Sequence, residues 1–323
     1  MSRALRIGTR DSELAVWQAT LVSGLLKKSG YDSELVYIKS EGDVDTITPL
    51  YELGVQGVFT KTLDAALLNN RIDLAVHSMK DVPTQMAQGL QQAAVLQRGS
   101  VKDILVYKKD SDLERIGYRD GQWTEDSSEK FIVATGSVRR IAQWMHRYPT
   151  HQIENLRGNV NTRLRKLSEN YWNGAVFAAA GLERINLRPK NSVDLNWMLP
   201  APAQGAIMVA CREDDDLSFQ CCQHFHDEAT ALCTQIERDF LRALLGGCST
   251  PISALAEIKE GSVFFQGNIV RPDGKEKAEV QKQTPLADAA NLGLTAAKEI
   301  LLKGGQTIVE GIRKKGLASN GKI

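Results

Sequence analysis

The segment IDLAVHSMKDVP, Ile72–Pro83, decides how the first third of the chain is read. Ile72 to Val76 has the apolar, branched character of a short strand. It runs into the polar loop His77-Ser78-Met79-Lys80-Asp81, and Pro83 fixes φ so that the strand cannot continue. What precedes it alternates in type. Leu5 to Thr9 is a strand, and Asp11 or Ser12 can cap a helix whose Leu14, Trp17, Leu21 and Leu25 keep one face. Glu34 to Lys39 is a second strand, and LGVQGVF at 53–59 opens the helix TKTLDAALLNN. The order β-α-β-α-β implies a mainly parallel sheet, whose ligand-binding loops collect at the carboxyl ends of the strands. Lys80 and Asp81 stand at one such end.

Beyond a polar stretch at 109–130 the pattern restarts. Phe131 to Thr135, Gln152 to Leu156 and Ala175 to Ala179 read as strands, with helices at Ser137 to His146 and Val160 to Ser168 between them. Two α/β units of similar size imply a cleft between them. The proline-rich LPAPAQG at 199–205 breaks the pattern, and Ala206 to Ala210 is a strand able to return to the first sheet. From Asp227 an amphipathic helix runs through Ala231, Leu232, Ile236, Phe240, Leu241 and Leu244. Strands at Ser253 to Ile258 and Val263 to Val270, a Pro272-Asp273-Gly274 turn, a third strand and a closing helix at 286–302 complete an α+β unit with an antiparallel sheet.

With 42% apolar and 24% charged residues over 323 positions, the chain reads as a multidomain soluble protein. Its 40 Lys and Arg balance 39 Asp and Glu, so bulk charge attracts neither nucleic acid nor an acidic membrane, and an anion site has to be local. The N-terminal sequence lacks the order of a signal peptide and no run is long enough to span a bilayer, so the expected location is the cytoplasm. The cysteines at 211, 221, 222, 233 and 248 fit reduced thiols. The cluster Cys221-Cys222-Gln223-His224-Phe225-His226, leading into a helix, matches no usual zinc spacing, and no metal is expected.

Cys248 is different in setting. In GGCSTP, Gly246–Pro251, two glycines free the backbone and a proline stiffens the exit, as for a presented side chain. Gly-Gly after an apolar periodic run also ends helices, and a lone cysteine also serves as a small hydrophobe. Local sequence leaves both readings open.

Arginines recur at strand-to-helix junctions: Arg10 after the first strand, Arg139 and Arg140 in Thr135-Gly136-Ser137-Val138-Arg139-Arg140, Arg157 and Arg163 in LRGNVNTR, and Arg184 after Gly181-Leu182. A cation at a helix N-terminus opposes the macrodipole, so the repetition calls for a compensating anion. Solvated surface arginines would explain any one of these sites; guanidinium forks at equivalent strand ends favour a cleft that binds a polyanion. Carboxylate and phosphate are not distinguished, although the absence of G-x-x-x-x-G-K-[ST] and G-x-G-x-x-G disfavours a nucleotide. Lys80-Asp81 can be a solvated loop pair. At a strand end among arginines, however, the Asp81 carboxylate stays ionised and can stabilise a cation formed during reaction, which makes it the principal catalytic candidate.

The segments TRDSELAVWQ, HSMKDVP, ATGSVRR, LRGNVNTR, AAAGLERI, LPAPAQGA and GGCSTPI, in this order, resemble the porphobilinogen deaminase (hydroxymethylbilane synthase) family. The resemblance implies two periplasmic-binding-protein-like α/β domains around a cleft, residues 1–102 with 203–222 and residues 103–202, plus a smaller α+β domain at 223–323. It implies a dipyrromethane cofactor joined by a thioether to Cys248. Four porphobilinogen molecules are condensed head to tail onto it with loss of ammonia, and the tetrapyrrole is then hydrolysed off as hydroxymethylbilane. By resemblance, Arg139, Arg140, Lys80, Asp81, Ser12, Thr135, Ser137, Arg163 and Arg184 contact the cofactor. Arg10, Arg157, Arg163, Arg184 and Gln204 lie at the substrate. Asp81 contacts pyrrole N–H groups and stabilises the azafulvene-type cation left when ammonia departs. A monomer is expected, without nucleic-acid or membrane partners.

This chain departs from the family pattern at Glu52 and Gln56, where lysines are familiar in a loop pictured as a lid, and more mildly at Leu245 and Gly136. Two other readings compete: a two-lobed anion-binding module of the solute-binding type, which leaves Cys248 without a task, and a cysteine hydrolase pairing Cys248 with His77 across domains.

Overall fold

The structure, a computed structural model, describes residues 3–39, 60–124, 130–244 and 250–320. Glu52, Gln56, Leu245 and Cys248 lie outside the described residues.

The first sheet grows from β1 (Leu5–Thr9), α1 (Glu13–Lys28), β2 (Ser33–Tyr37), α2 (Lys61–Leu68), β3 (Leu74–Ser78) and β4 (Leu90–Val95). β1 pairs in parallel with β2 and β3. β3 begins two residues later than its apolar run suggests, because the buried Asp73 turns aside to accept the Arg6 backbone N–H at 2.8 Å and the Arg6 guanidinium. β3 ends in a single 3-10 turn, Met79–Asp81. The helix α1 is where expected but rotated. It buries Gln18, Ala19, Val22 and Leu26, and leaves Leu21 37% exposed. The buried set lies one residue along from Leu21 and Leu25, about 100° around the helix. Trp17 and Leu25 are left at the margin of the core.

The second unit contains β5 (Asp103–Tyr107), α3 (Asp110–Arg115), β6 (Tyr118–Arg119), β7 (Gln122–Trp123), β8 (Ile132–Ala134), α4 (Val138–Arg147), β9 (Gln152–Glu154), α5 (Val160–Glu169), β10 (Gly174–Ala178), α6 (Ala179–Glu183) and β11 (Ser192–Asp194). The polar stretch from 109 is therefore structured: a short helix leads into a hairpin whose turn residues Asp120 and Gly121 both take positive φ, the geometry that suits a two-residue hairpin. β12 (Ile207–Arg212) returns to the first sheet, antiparallel to both β3 and β4.

The two sheets share one plan. Their orders are β2-β1-β3-β12-β4 and β9-β8-β10-β5-β11, each with three parallel strands, then one reversed, then one parallel again. In each sheet the reversed strand is the one that has just crossed from the other unit. The loops after β1 and β8, β2 and β9, and β3 and β10 are thus equivalent, and the carboxyl ends of the parallel strands carry the arginines and Asp81.

α7 (Asp216–Gln223) and α8 (Glu228–Leu244) lead to an antiparallel sheet of β13 (Ile252–Lys259), β14 (Ser262–Val270) and β15 (Lys277–Pro285). Cys233, Ile236, Phe240 and Leu244 of α8 join its core, with Phe240 edge-on to Phe265 at 5.1 Å. The closing helix differs from expectation. A 3-10 turn precedes α9 (Leu292–Ile300), which kinks at Gly304, φ 98°, and continues as α10 (Gln306–Asn320). Cys221 and Cys222 lie inside α7 rather than before a helix. Both are buried, burial raises both thiols, and no metal-binding cluster occurs among the described residues. No described helix is long and apolar enough to cross a membrane.

Candidate active site

The Lys80–Asp81 turn is held from behind. Met79 N–H bonds to the Ala206 carbonyl at 3.0 Å, and Arg238 of α8 donates to the carbonyls of Val82 at 2.9 Å and Pro83 at 2.6 Å. Arg238 is buried, and these carbonyls turn peptide dipoles toward its charge. Lys80 and Asp81 are half-buried at the tip. Burial pushes the Lys80 amine down to about 8, opposed by the charge of Asp81 and reinforced by Arg140.

Across from this turn, Thr135, Gly136 and Ser137 join β8 to α4. Thr135 Oγ1 accepts the Ser137 N–H at 3.3 Å, and Thr135 itself is buried. A Cβ on Gly136 would stand 2.6 Å from the Leu156 carbonyl oxygen, so a larger residue has no room on this backbone. Arg139 and Arg140, in the first turn of α4, are buried and share one carboxylate. Arg139 Nη2 and Arg140 Nη2 each lie 2.7 Å from Asp103, whose side chain is fully buried. Burial alone would raise the Asp103 carboxyl, but Arg139 and Arg140 outweigh it and hold it at about 2. The anion required by cations at this helix start is therefore partly internal, which the sequence reading did not foresee.

Arg163 in α5 donates through Nε to the Gly158 carbonyl at 2.7 Å. Burial lowers its guanidinium to about 10, with Arg140, Arg157 and Arg10 adding like charge and Asp81 opposing. The charges acting on Arg163 thus come from both units. Arg157 is buried; Arg10 and Ser12 are half-buried on the loop after β1. Arg184 reaches back to the first unit, donating to the Gly205 carbonyl at 2.7 Å with its guanidinium 5.8 Å from the Trp17 ring centre; burial lowers it to about 10. Gln204 is buried where the chain recrosses, accepting from Lys80 Nζ at 3.2 Å and donating to Asp103 at 3.0 Å. His77 is buried, and burial with the nearby Arg10 lowers it to about 4, so it is neutral near pH 7.

Four residues missed in the sequence build this site: Asp103, Arg98, Glu237 and Arg238. Arg98 and Glu237 form a two-pronged pair at 2.6 and 2.9 Å, and Glu237 also accepts the backbone N–H groups of Ala203 and Ala256. Asp103, at the head of the apolar run Ile104–Tyr107, had a readable signal, since a carboxylate there has to be paired if buried; Glu237, flanked by Ile236, Arg238 and Asp239, had none.

Cations outnumber carboxylates here among the described residues, and the buried Arg139 Nε makes no hydrogen bond. Both features fit a ligand bearing carboxylates. The chain matches the family model described as "Porphobilinogen deaminase, dipyromethane cofactor binding domain" over residues 5–220 and the C-terminal domain model of the same family over residues 231–302. A porphobilinogen deaminase of Syntrophomonas wolfei is 37% identical, the match covering 97% of this chain and all of the relative. A protein described as a probable porphobilinogen deaminase in Methanocaldococcus jannaschii is 44% identical over 79% of this chain and 84% of its own length. Among solved structures, an ancestral cationic amino acid solute-binding protein aligns with TM-score 0.42 and 13% identity over 69% of this chain and 87% of its own. With two family models in sequence and relatives matched nearly end to end, the chain belongs to the porphobilinogen deaminase family.

Proposed function

We propose that the cleft between the two α/β units is where this enzyme, a transferase of tetrapyrrole biosynthesis, joins four porphobilinogen molecules and releases hydroxymethylbilane. In this reading, residues 1–102 and 203–222 carry Asp81, residues 103–202 carry most of the arginines, and residues 223–323 carry the cofactor-linking Cys248. Dipyrromethane, when bound through Cys248, supplies the pyrrole carbon to which the first substrate is joined.

The chain's own groups have distinct tasks. Arg139 and Arg140, held by Asp103, keep N–H donors for cofactor carboxylates, with Lys80, Ser12, Thr135, Ser137, Arg163 and Arg184 beside them. Arg10, Arg157, Arg163, Arg184 and Gln204 take the acetate and propionate groups of porphobilinogen. The Asp81 carboxylate faces the reacting ring, accepts pyrrole N–H groups and stabilises the cation formed as substrate loses ammonia. A fixed carboxylate in a site of reduced dielectric does this better than water. The observation that carries the reading is the hydrogen-bonded chain from Lys80 through Gln204 and Asp103 to Arg139 and Arg140, which brings the turn holding Asp81 and the arginine pair to one place.

Intact-mass measurement and Ehrlich's reagent test it. Wild type is expected to carry a dipyrromethane-sized adduct on the peptide containing Cys248, and Cys248→Ser to lack both adduct and activity. Asp81→Asn is expected to keep fold and adduct while losing on the order of a hundredfold or more in turnover. A freely alkylated Cys248 in active wild type overturns the assignment.

A further inference from the structure

Gln143 lies one turn beyond Arg139 on α4 and uses both ends of its amide. Its Nε2 donates to the Leu199 carbonyl and to Ser253 Oγ, each at 2.9 Å, and its Oε1 accepts the Leu199 N–H at 2.9 Å. The same Leu199 carbonyl accepts Arg139 Nη1 at 2.8 Å. Ser253 is fully buried in β13, and its neighbour Ala254 donates to the Pro200 carbonyl at 3.2 Å. One buried amide thus joins the helix presenting the arginine pair, the segment that recrosses between units, and the strand that starts just beyond Cys248. The far end of α4 has a separate grip, His146 Nδ1–H donating to the Gly274 carbonyl at 2.7 Å.

A thioether to a cysteine turns about several single bonds. Cofactor carboxylates meet guanidiniums reproducibly only if the strand bearing the anchor and the helix bearing the arginines are in fixed register. An apolar contact permits sliding; a buried, satisfied amide is directional. We propose that Gln143, through Ser253, is a positioning residue that sets this register. The inference rests on Cys248 being the anchor.

The test uses the full chain prepared without cofactor and incubated with porphobilinogen, with adduct formation followed by intact mass, alongside kcat, KM and thermal melting of the loaded enzyme. Ser253→Ala and Gln143→Glu, which keeps shape and acceptor but loses the Nε2 donor, are expected to acquire adduct about tenfold more slowly and to lose kcat by a similar factor with KM nearly unchanged. Ser253→Thr, which retains the hydroxyl, is expected to restore both. His146→Ala, which loosens the same two bodies away from the arginines, should lower the melting temperature and leave adduct formation alone. Wild-type rates of adduct formation in Ser253→Ala and Gln143→Glu overturn the inference, as does an equal slowing in His146→Ala. Absence of adduct on wild type instead overturns the reading of Cys248, and the inference with it.

Discussion

Lys80 and Gln204, from opposite ends of the first unit's sequence, share a hydrogen bond of 3.2 Å, and the same Gln204 amide donates to Asp103 at 3.0 Å and to the Val101 carbonyl at 2.8 Å. A neutral side chain thus relays between a half-buried cation and a buried anion. Through it Lys80 stands near Arg139 and Arg140 with the Asp103 carboxylate as a shared counter-charge.

The first prediction concerns the Lys80 amine, lowered by burial from an ordinary 10.5 to about 8. Between those values the unfolded chain binds the extra proton, so this group makes stability rise with pH from about 8 to 10.5; below 8 it is charged in both states and its burial penalty is fully present. Bound carboxylates oppose the shift. Acylation of Lys80 against pH, read by peptide mass, is expected to show a midpoint near 8 in the cofactor-free chain and a higher one when loaded. A cofactor-free midpoint near 10.5 would refute it.

Asp103→Asn removes the one charge that Arg139 and Arg140 share. Two guanidiniums are then buried against a neutral amide, a loss of about 3–5 kcal/mol. The carboxyl is held at about 2 against an ordinary 3.8, so its contribution is present above 3.8 and lost as pH falls toward 2. Urea unfolding at neutral and acid pH is expected to show a less stable variant whose stability falls less on acidification through that window. Equal stability at neutral pH would mean that the arginines do not depend on Asp103.

How far the sequence was legible follows from what each signal measures. The alternation of strand and helix around Ile72–Pro83 reports local periodicity; it placed β1 and the loops that carry Arg10 and Asp81, and found β3 two residues early. Periodicity cannot say which stripe of α1 faces the sheet, since Leu21 and Val22 are both apolar and the choice is made by packing. β4, as Leu-Gln-Gln-Ala-Ala-Val, has too weak an alternation to announce itself, although burial between β12 and α7 suits it. The arginines were visible because they recur at equivalent strand ends. Their counter-charge was not, because Asp103 meets Arg140 over 37 positions of sequence and Glu237 meets Arg98 over 139. Pairing at that range is a property of topology.

The Arg98–Glu237 pair supplies a third prediction. Glu237 is fully buried, and its oxygens serve Arg98 and two backbone N–H groups on different segments. Glu237→Gln leaves the guanidinium without its charge partner and is expected to destabilise by about 3–5 kcal/mol. Arg98→Met with Glu237→Leu is expected to lose less than the sum of the single changes, because neither charge is then stranded. Additive losses in that double-mutant cycle would show that the pair is not coupled.

At Gly205 the two strands of chain crossing between the units are in contact. Its φ is +86°, and an added Cβ would lie 2.6 Å from the Ser100 carbonyl oxygen and 2.8 Å from that of Gly99. Its own carbonyl accepts both the Gly99 N–H at 3.0 Å and Arg184 at 2.7 Å. Gly205→Ala therefore carries two penalties, an unfavourable backbone conformation and a collision with backbone that cannot yield without moving Arg184. Gly261, with φ +72° and open space around its missing side chain, isolates the first. Gly261→Ala is expected to lose about 1 kcal/mol, the ordinary penalty of a left-handed residue. Gly205→Ala is expected to lose several times as much and to raise KM for porphobilinogen, which Gly261→Ala should not touch. Because the comparison cancels the conformational part, equal losses of stability and an unchanged KM would mean that the crossing segments separate freely and that Arg184 is placed by something other than Gly205.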